Sequence, residues 1–182
     1  MKYLSIALFA VLLGGLSGCA SVKMQDVSLI GPPNDKKVIV NFVRPAIFLG
    51  DGIDVDIWDG GTYVGSLGAG KLIQREVEPG KHIFIADAEN CTYVSGDLVA
   101  GKQYFLKANI FPGAFRARVA LGVVKSDDER VAEWLRNLKP TAITEKDRKE
   151  KEEEKKAEIQ KAIAEFESDG VSFSEIQPED AR

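Results

Sequence analysis

Between residues 38 and 125 the chain alternates short β-rich apolar runs with turn residues. "VIVNFVR", bounded by Pro45, is followed by "IDVDIWD", the pair Gly60-Gly61 and "TYVGSL"; "KLIQREV" then ends at Glu78-Pro79-Gly80-Lys81 and leads to "HIFIADA", "TYVSGDL", "QYFLKANIF" and "FRARVALGVV". Side chains alternate faces along a strand. Val55 and Ile57 therefore point inward while Asp54 and Asp56 face water, and Ala117, Val119, Leu121 and Val123 share one face. Eight such runs with no long helix among them predict a mainly β domain at 38–125, a small antiparallel β-sandwich of about seven to eight strands. Asp59-Gly60-Gly61 suits a hairpin turn that needs positive φ. Pro79-Gly80 fits the two central positions of a type II turn.

The period changes after residue 125. Val131, Trp134, Leu135 and Leu138 fall at helical spacing, Ser126 and Glu129 have the spacing of a capping box, and Pro140 stops the pattern. A short amphipathic helix over 126–140 with Trp134 against the sheets follows. The stretch 144–170, "TEKDRKEKEEEKKAEIQKAIAEFESDG", is almost wholly charged in its first half, with Glu145–Lys149, Asp147–Lys151 and Glu152–Lys156 spaced as supportive pairs. Its second half carries a narrow apolar stripe of Ile159, Ile163 and Phe166, and Asp169-Gly170 ends it. A helix over 145–167 would be about 35 Å long. It docks its end on its own domain or, alternatively, binds a partner or self-associates, although three anchors fall short of a sustained coiled coil. Residues 171–182 read as a flexible tail.

The N-terminus differs from all of this. Lys2 precedes an apolar run from Leu4 to Leu13 and then small residues up to Cys19. The run is shorter than the roughly 20 residues of a membrane-spanning helix and has the layout of a secretory signal. Leu16-Ser17-Gly18-Cys19 resembles the bacterial lipobox, in which the cysteine thiol takes a lipid and the peptide is cut just before it. Only cysteine offers a thiol for that thioether, and small residues fit the peptidase. The resemblance implies a signal peptide at 1–18 and a mature chain starting at Cys19, with S-diacylglycerol and an N-acyl group such as palmitate. Two or more acyl chains hold stably to a membrane. Ala20 and Ser21 stand where an aspartate would favour inner-membrane retention, which points to the outer membrane, periplasmic face, in a Gram-negative envelope. Residues 19–37, with Gly31, Pro32 and Pro33, read as a lipidated tether that reaches roughly 60 Å when extended.

Charge and chemistry narrow the picture further. The formal charge is −4, and loss of Lys2 makes it more negative, so no broad attraction for nucleic acid arises. Of two cysteines, Cys19 carries lipid, and Cys91 is left without an intrachain partner. Cys91 reads as a small buried hydrophobe, with an intermolecular bridge as the alternative. "GSLGAGKL" (65–72) approaches a phosphate-binding loop, but Leu72 replaces the metal-binding hydroxyl and a strand follows, so no nucleotide binding is expected. Gly65 is expected to close a hairpin after "TYV", and Gly68 and Gly70 to bend the chain into the next strand. The one histidine, His82, begins a strand without a nucleophile-elbow motif around it. Asp51, Asp54, Asp56 and Asp59 crowd one stretch, yet their spacing is not that of a calcium loop. One histidine and one available cysteine build no zinc site. Asn90-Cys91-Thr92 matches a glycosylation sequon, which carries no meaning in a bacterial lipoprotein.

"VIVNFVRP", the "DGGTYVGSL" hairpin, "EPGKHIFIADAEN" and "GDLVAGKQYFLKA" together make residues 38–124 resemble bacterial lipoprotein domains of PEGA-like or transthyretin-like appearance. That resemblance implies a small sandwich and transfers no catalytic residue. The expected function is therefore a lipid-anchored binding or scaffold module without catalysis, cofactor or metal, recruiting an envelope protein or polymer. The alternatives are glycan binding on exposed Trp58, Tyr63 or Tyr93, and a hydrolase built on His82.

Overall fold

The computed structural model describes residues 22–47, 51–112, 117–168 and 170–182. The expected signal peptide at 1–18 and Cys19 lie outside them. In chain order the elements are β1 (Gln25–Asp26), β2 (Val38–Arg44), β3 (Val55–Asp59), β4 (Thr62–Leu67), β5 (Lys71–Val77), β6 (Gly80–Asp87), β7 (Cys91–Leu98), β8 (Gln103–Pro112), β9 (Ala117–Val124), α1 (Arg130–Asn137), β10 (Lys139–Ala142), α2 (Glu145–Glu167) and β11 (Phe173–Ile176). The fold is mainly β. One sheet has the order β1-β10-β5-β2-β8-β9 and the other β11-β7-β6-β3-β4.

The turn chemistry explains the connections. Gly60 and Gly61 link β3 to β4, with Asp59 opposite Thr62 and Gly60 at φ 53°, the positive value that the sequence requires. Pro79 and Gly80 carry the chain from β5 in one sheet to β6 in the other, and Gly80 has φ 121°. The arrangement is not wholly antiparallel: β2 runs parallel to β8, β10 to β5 and β11 to β7. The cause is that the chain crosses between sheets. Everything from β3 to β7 separates β2 from β8, and parallel neighbours need such a long connection.

Alternation on the strands divides the apolar residues into three groups. Val38, Val40 and Phe42 of β2 and Tyr104, Leu106 and Ala108 of β8 meet Val55, Ile57, Phe84 and Val94 of the second sheet in one core. Phe42 and Phe84 touch edge to face across it, with centroids 5.4 Å apart. The outer face of the first sheet presents Val43, Leu72, Phe105 and Val124, which α1 covers with Val131, Trp134 and Leu138. The N-terminal residue of α1 is not held by a Ser126–Glu129 capping box. Glu129 makes no side-chain cap, and Asp128 instead accepts from the Arg130 amide at 3.0 Å. The outer face of the second sheet carries Trp58, Tyr63, Ile85 and Tyr93, covered by Ile159 and Ala162 of α2 with Ile163 and Phe166 beside them.

Exposed edges of a sheet invite aggregation. Here side chains occupy them. On one side Asn90 Oδ1 accepts from Val119 N (2.8 Å) and its Nδ2 donates to Val119 O (3.0 Å), while Thr92 Oγ1 accepts from Leu121 N (3.1 Å). The Asn90 amide thus copies a strand partner for β9, which gives the sequon an architectural role. Asn90→Ala should cost about 1–3 kcal/mol, the penalty for leaving backbone groups unpaired, and should raise aggregation. Urea denaturation with light scattering checks both, and an unchanged midpoint would show that solvent replaces the amide freely.

Both ends of the described chain are built into this framework, contrary to the tether and the tail. Gln25 and Asp26 pair with β10, Met24 packs against the central core, and Ile30 N donates to Gln74 Oε1 at 2.7 Å. Gln74 in turn donates to Asn41, whose amide reaches Tyr104 O. At the other end β11 pairs with β7, and Arg182 exchanges backbone bonds with Gln103 at 3.0 and 3.1 Å. Asp180 is buried, and its Oδ1 lies 2.9 Å from Lys125 Nζ.

Candidate functional site

The glycine-rich stretch 65–72 forms the end of β4, a turn and the start of β5. No helix opens behind it. Gly70 (φ 70°) makes the turn, as expected. Gly65 does not close a hairpin: it lies inside β4 at φ 148°, beside the bulge between Ile57 and Trp58. A Cβ there would lie 2.7 Å from Met24 Cε, so the glycine makes room for the docked N-terminal segment.

His82 faces Asp59, with Nδ1 2.8 Å from Oδ1, and stacks on Phe84 at a 5.6 Å centroid separation. Its Nε2 lies 2.9 Å from the Glu78 carbonyl oxygen. Two acceptors flank the ring, so the doubly protonated imidazolium satisfies both. The Asp59 hydrogen bond raises the His82 pKa above its ordinary 6.5, against the opposing effect of burial. A Ser–His–Asp relay would present Nε2 to a nucleophile; here that nitrogen fastens β6 to the residues before it. Because the folded state favours the proton, the resulting stabilisation is complete below pH 6.5 and disappears as pH rises through the raised value. We expect Tm to fall as pH rises above 6.5 and through the raised value, and Asp59→Asn to flatten that slope. Thermal melts across the range check this, and parallel profiles would remove the pair as its source.

The other candidate groups are dispersed. Asp51 accepts from Ile47 N at 3.2 Å, and Asp56 accepts from Tyr63 Oη at 2.6 Å with Lys151 Nζ at 3.5 Å. Asp59 serves His82. Among the described residues no three His, Cys, Asp or Glu side chains converge as metal ligands. Cys91 is exposed rather than buried, at the start of β7. Desolvation at its sulfur, and then the Asp87 carboxylate 3.6 Å away, push the thiol up to about 12. It stays protonated at neutral pH and is a poor nucleophile.

Trp58, Tyr63 and Tyr93, expected at the surface, are at most 5% exposed. Neighbouring strand registers line up Tyr63, Trp58, Ile85 and Tyr93 across four strands, and α2 lies over the row. None presents a face for stacking a sugar. A cleft of about 420 Å³ remains where α2 passes the Gly60-Gly61 turn, floored by Trp58 and Ile159 and rimmed by Lys149, Glu152, Glu153 and Gln160. The Trp58 indole N–H is buried there without a hydrogen-bond partner. No family model, curated protein or solved structure matches the chain.

The charged half of α2 makes contacts that helix spacing alone does not reveal. Thr144 caps the helix by accepting from Asp147 N at 3.1 Å, and Glu145–Lys149 forms as spaced, at 3.4 Å. Lys151 turns to Asp56 instead of Asp147, and Glu152 accepts from the Tyr63 amide at 3.0 Å instead of pairing with Lys156. Glu152 thereby closes part of the β4 edge. Met24 Sδ closes another part, 3.4 Å from Ser66 N. Among the described residues no helix is long and apolar enough to cross a membrane.

Proposed function

We propose that this chain is a lipid-anchored, non-catalytic binding module of a bacterial envelope, held by acyl chains on Cys19 at the periplasmic face of the outer membrane. The observation that carries the proposal is Leu16-Ser17-Gly18-Cys19 directly after a short apolar run with a charged start. The engaged Nε2 of His82 and the protonated Cys91 thiol favour binding over catalysis. We assign the two sheets around one core to a β-sandwich of PEGA-like or transthyretin-like type, with parallel pairings as its departure. Its partner is an envelope protein or polymer, engaged by the solvent-facing surface of α2 and its neighbouring loops.

Growth with radiolabelled palmitate should label the wild-type chain and leave Cys19→Ser unlabelled; equal labelling would refute the anchor. Photocrosslinkers placed at exposed Lys146, Glu150 and Glu153 of α2 should trap a recurrent envelope partner in cells. Crosslinks no different from those of a probe at exposed Glu76 would remove α2 from the binding surface.

A further inference from the structure

The docked N-terminal segment sets where a lipid anchor can hold the domain. Val22 packs beside the α2-covered row and Met24 against the core, so the chain is docked at residues 22–24. Cys19 precedes Val22 by three residues, which span at most about 11 Å. A free tether through residue 37 would allow the domain to range roughly 60 Å from the bilayer; a three-residue link holds one particular side of it against the lipid. That side is where β1 and β4 meet, joined by Met24 over Gly65 and Ser66. The β9 and β11 edges stand at the other ends of both sheets.

The surface on the anchored side suits an interface. Val27 and Leu29 are 44% and 42% exposed, and Ile47 is 52% exposed. Backbone bonds place Val27 and the segment leading to Ile47 around one corner, with Leu29 two residues after Val27: Val27 N to Pro140 O, Lys139 N to Gly70 O and Gly70 N to Arg44 O, with Ala46 beside Gly70. A polar cleft of about 190 Å³ opens at the same corner, between Val22, Asp26, Asp54 and Lys71. Thr141 lines it with a buried hydroxyl that has no hydrogen-bond partner. Apolar side chains beside both lysines and aspartates match the mixed layer of phospholipid headgroups and upper acyl chains, where amphipathic protein surfaces bind.

We propose that the β1–β10 corner, with Val27, Leu29 and Ile47, lies on the phospholipid surface, and that the β9–β11 side faces away from it. This rests on acylation of Cys19, and the test separates the two. In a Cys91→Ser background, Val27→Cys, Ile47→Cys and Phe173→Cys carry a fluorophore one at a time. Phe173 is the half-exposed residue on the distal edge. The full chain, purified from bacterial membranes, is placed in vesicles of phosphatidylethanolamine and phosphatidylglycerol containing headgroup-nitroxide lipid.

Mass spectrometry of the N-terminal peptide reports acylation. Quenching several-fold stronger at 27 and 47 than at 173 is the expected result, and a flexible glycine-serine insert after Ala20 should abolish the difference. Equal quenching at all three positions of an acylated, folded chain overturns the orientation alone. A peptide without acyl groups overturns the anchor and the orientation with it. The three labelled positions are exposed, and near-ultraviolet circular dichroism confirms that each variant keeps its fold.

Discussion

Gly96→Val should detach the C-terminal strand and lower stability by about 2–5 kcal/mol, the range for losing a large buried aliphatic side chain. Gly96 lies in β7 opposite Ile176 of β11, and a Cβ built on it would sit 2.5 Å from Ile176 Cβ and 3.1 Å from the Ile176 carbonyl oxygen. Both are fixed atoms, one at the root of the side chain and one on the backbone, so relaxation requires moving the strand. Ile176 is 4% exposed and belongs to the central core, and its displacement opens that core at the edge. The loss extends further. Asp180 near Lys125, and the exchange between Arg182 and Gln103, fasten the same segment to the first sheet. Urea unfolding should show the lower midpoint, and limited proteolysis should remove residues beyond 168 from the variant before the rest is cut. Wild-type values in both assays would mean that the β7–β11 pairing contributes little.

What the sequence made legible follows from how local each determinant is. Helix α2 runs from Glu145 to Glu167, the span that its spaced charges and apolar stripe predict, because these signals lie within one or two turns of each other. Asp59-Gly60-Gly61 makes its hairpin because the positive φ is a property of the glycine itself. Strand existence between 38 and 125 follows in the same way from alternation.

Partner choice is not local. A β-run reveals which residues share a face but not whether that face looks into the core or onto a helix. Val38 and Trp58 have equal claims to the interior, yet one lies between the sheets and the other beneath α2. Trp58, Tyr63 and Tyr93 looked like surface aromatics because the helix that covers them arrives more than fifty residues after the last of them. The β1, β10 and β11 pairings use two to four residues each, fewer than any periodicity can announce. Cys91 illustrates the reverse: it shares a strand face with buried Tyr93 and yet is exposed.

The candidate chemistry was legible as a set of residue types and not as an arrangement. His82 with an acid nearby is what a hydrolase would need, and Asp59 does lie 2.8 Å away. The decisive partner is the Glu78 carbonyl, a backbone group that no side-chain motif encodes. The aspartates separate for a similar reason, Asp56 being claimed by Lys151 and Asp59 by His82, both distant in sequence.

Ile159→Asp should release α2 from the second sheet and leave most of the helix intact. Ile159 is 3% exposed between Trp58, Tyr63, Ile85 and Tyr93, and losing such a side chain costs about 2–5 kcal/mol before the unpaired carboxylate is counted. Ile163 and Phe166 of the helix pack beside it, with the Phe166 ring centroid 5.6 Å from that of Tyr93. Ala162 is the helix's second buried residue, and Lys151 and Glu152 reach Asp56 and the Tyr63 amide at its charged end. The helix itself depends less on the sheet than most, since it keeps its Thr144 cap and its pairs Lys155–Glu158 (2.7 Å) and Lys161–Glu165 (3.7 Å) wherever it goes. Helical circular dichroism should therefore change little. Trp58 fluorescence should shift to the red as water reaches a ring now 1% exposed, and a Trp134→Phe background isolates that signal. The uncovered aromatic row should also bind a hydrophobic dye and promote association. Unchanged emission would mean that Ala162, Ile163, Phe166 and the charged end hold α2 without Ile159. A red shift accompanied by loss of helix would mean that the sheet, rather than the sequence of α2, maintains it. The same dependence makes deletion of 144–182 a poor probe of partner binding, because it strips the second sheet and removes β11 at once; substitutions confined to the solvent-facing side of α2 leave both in place.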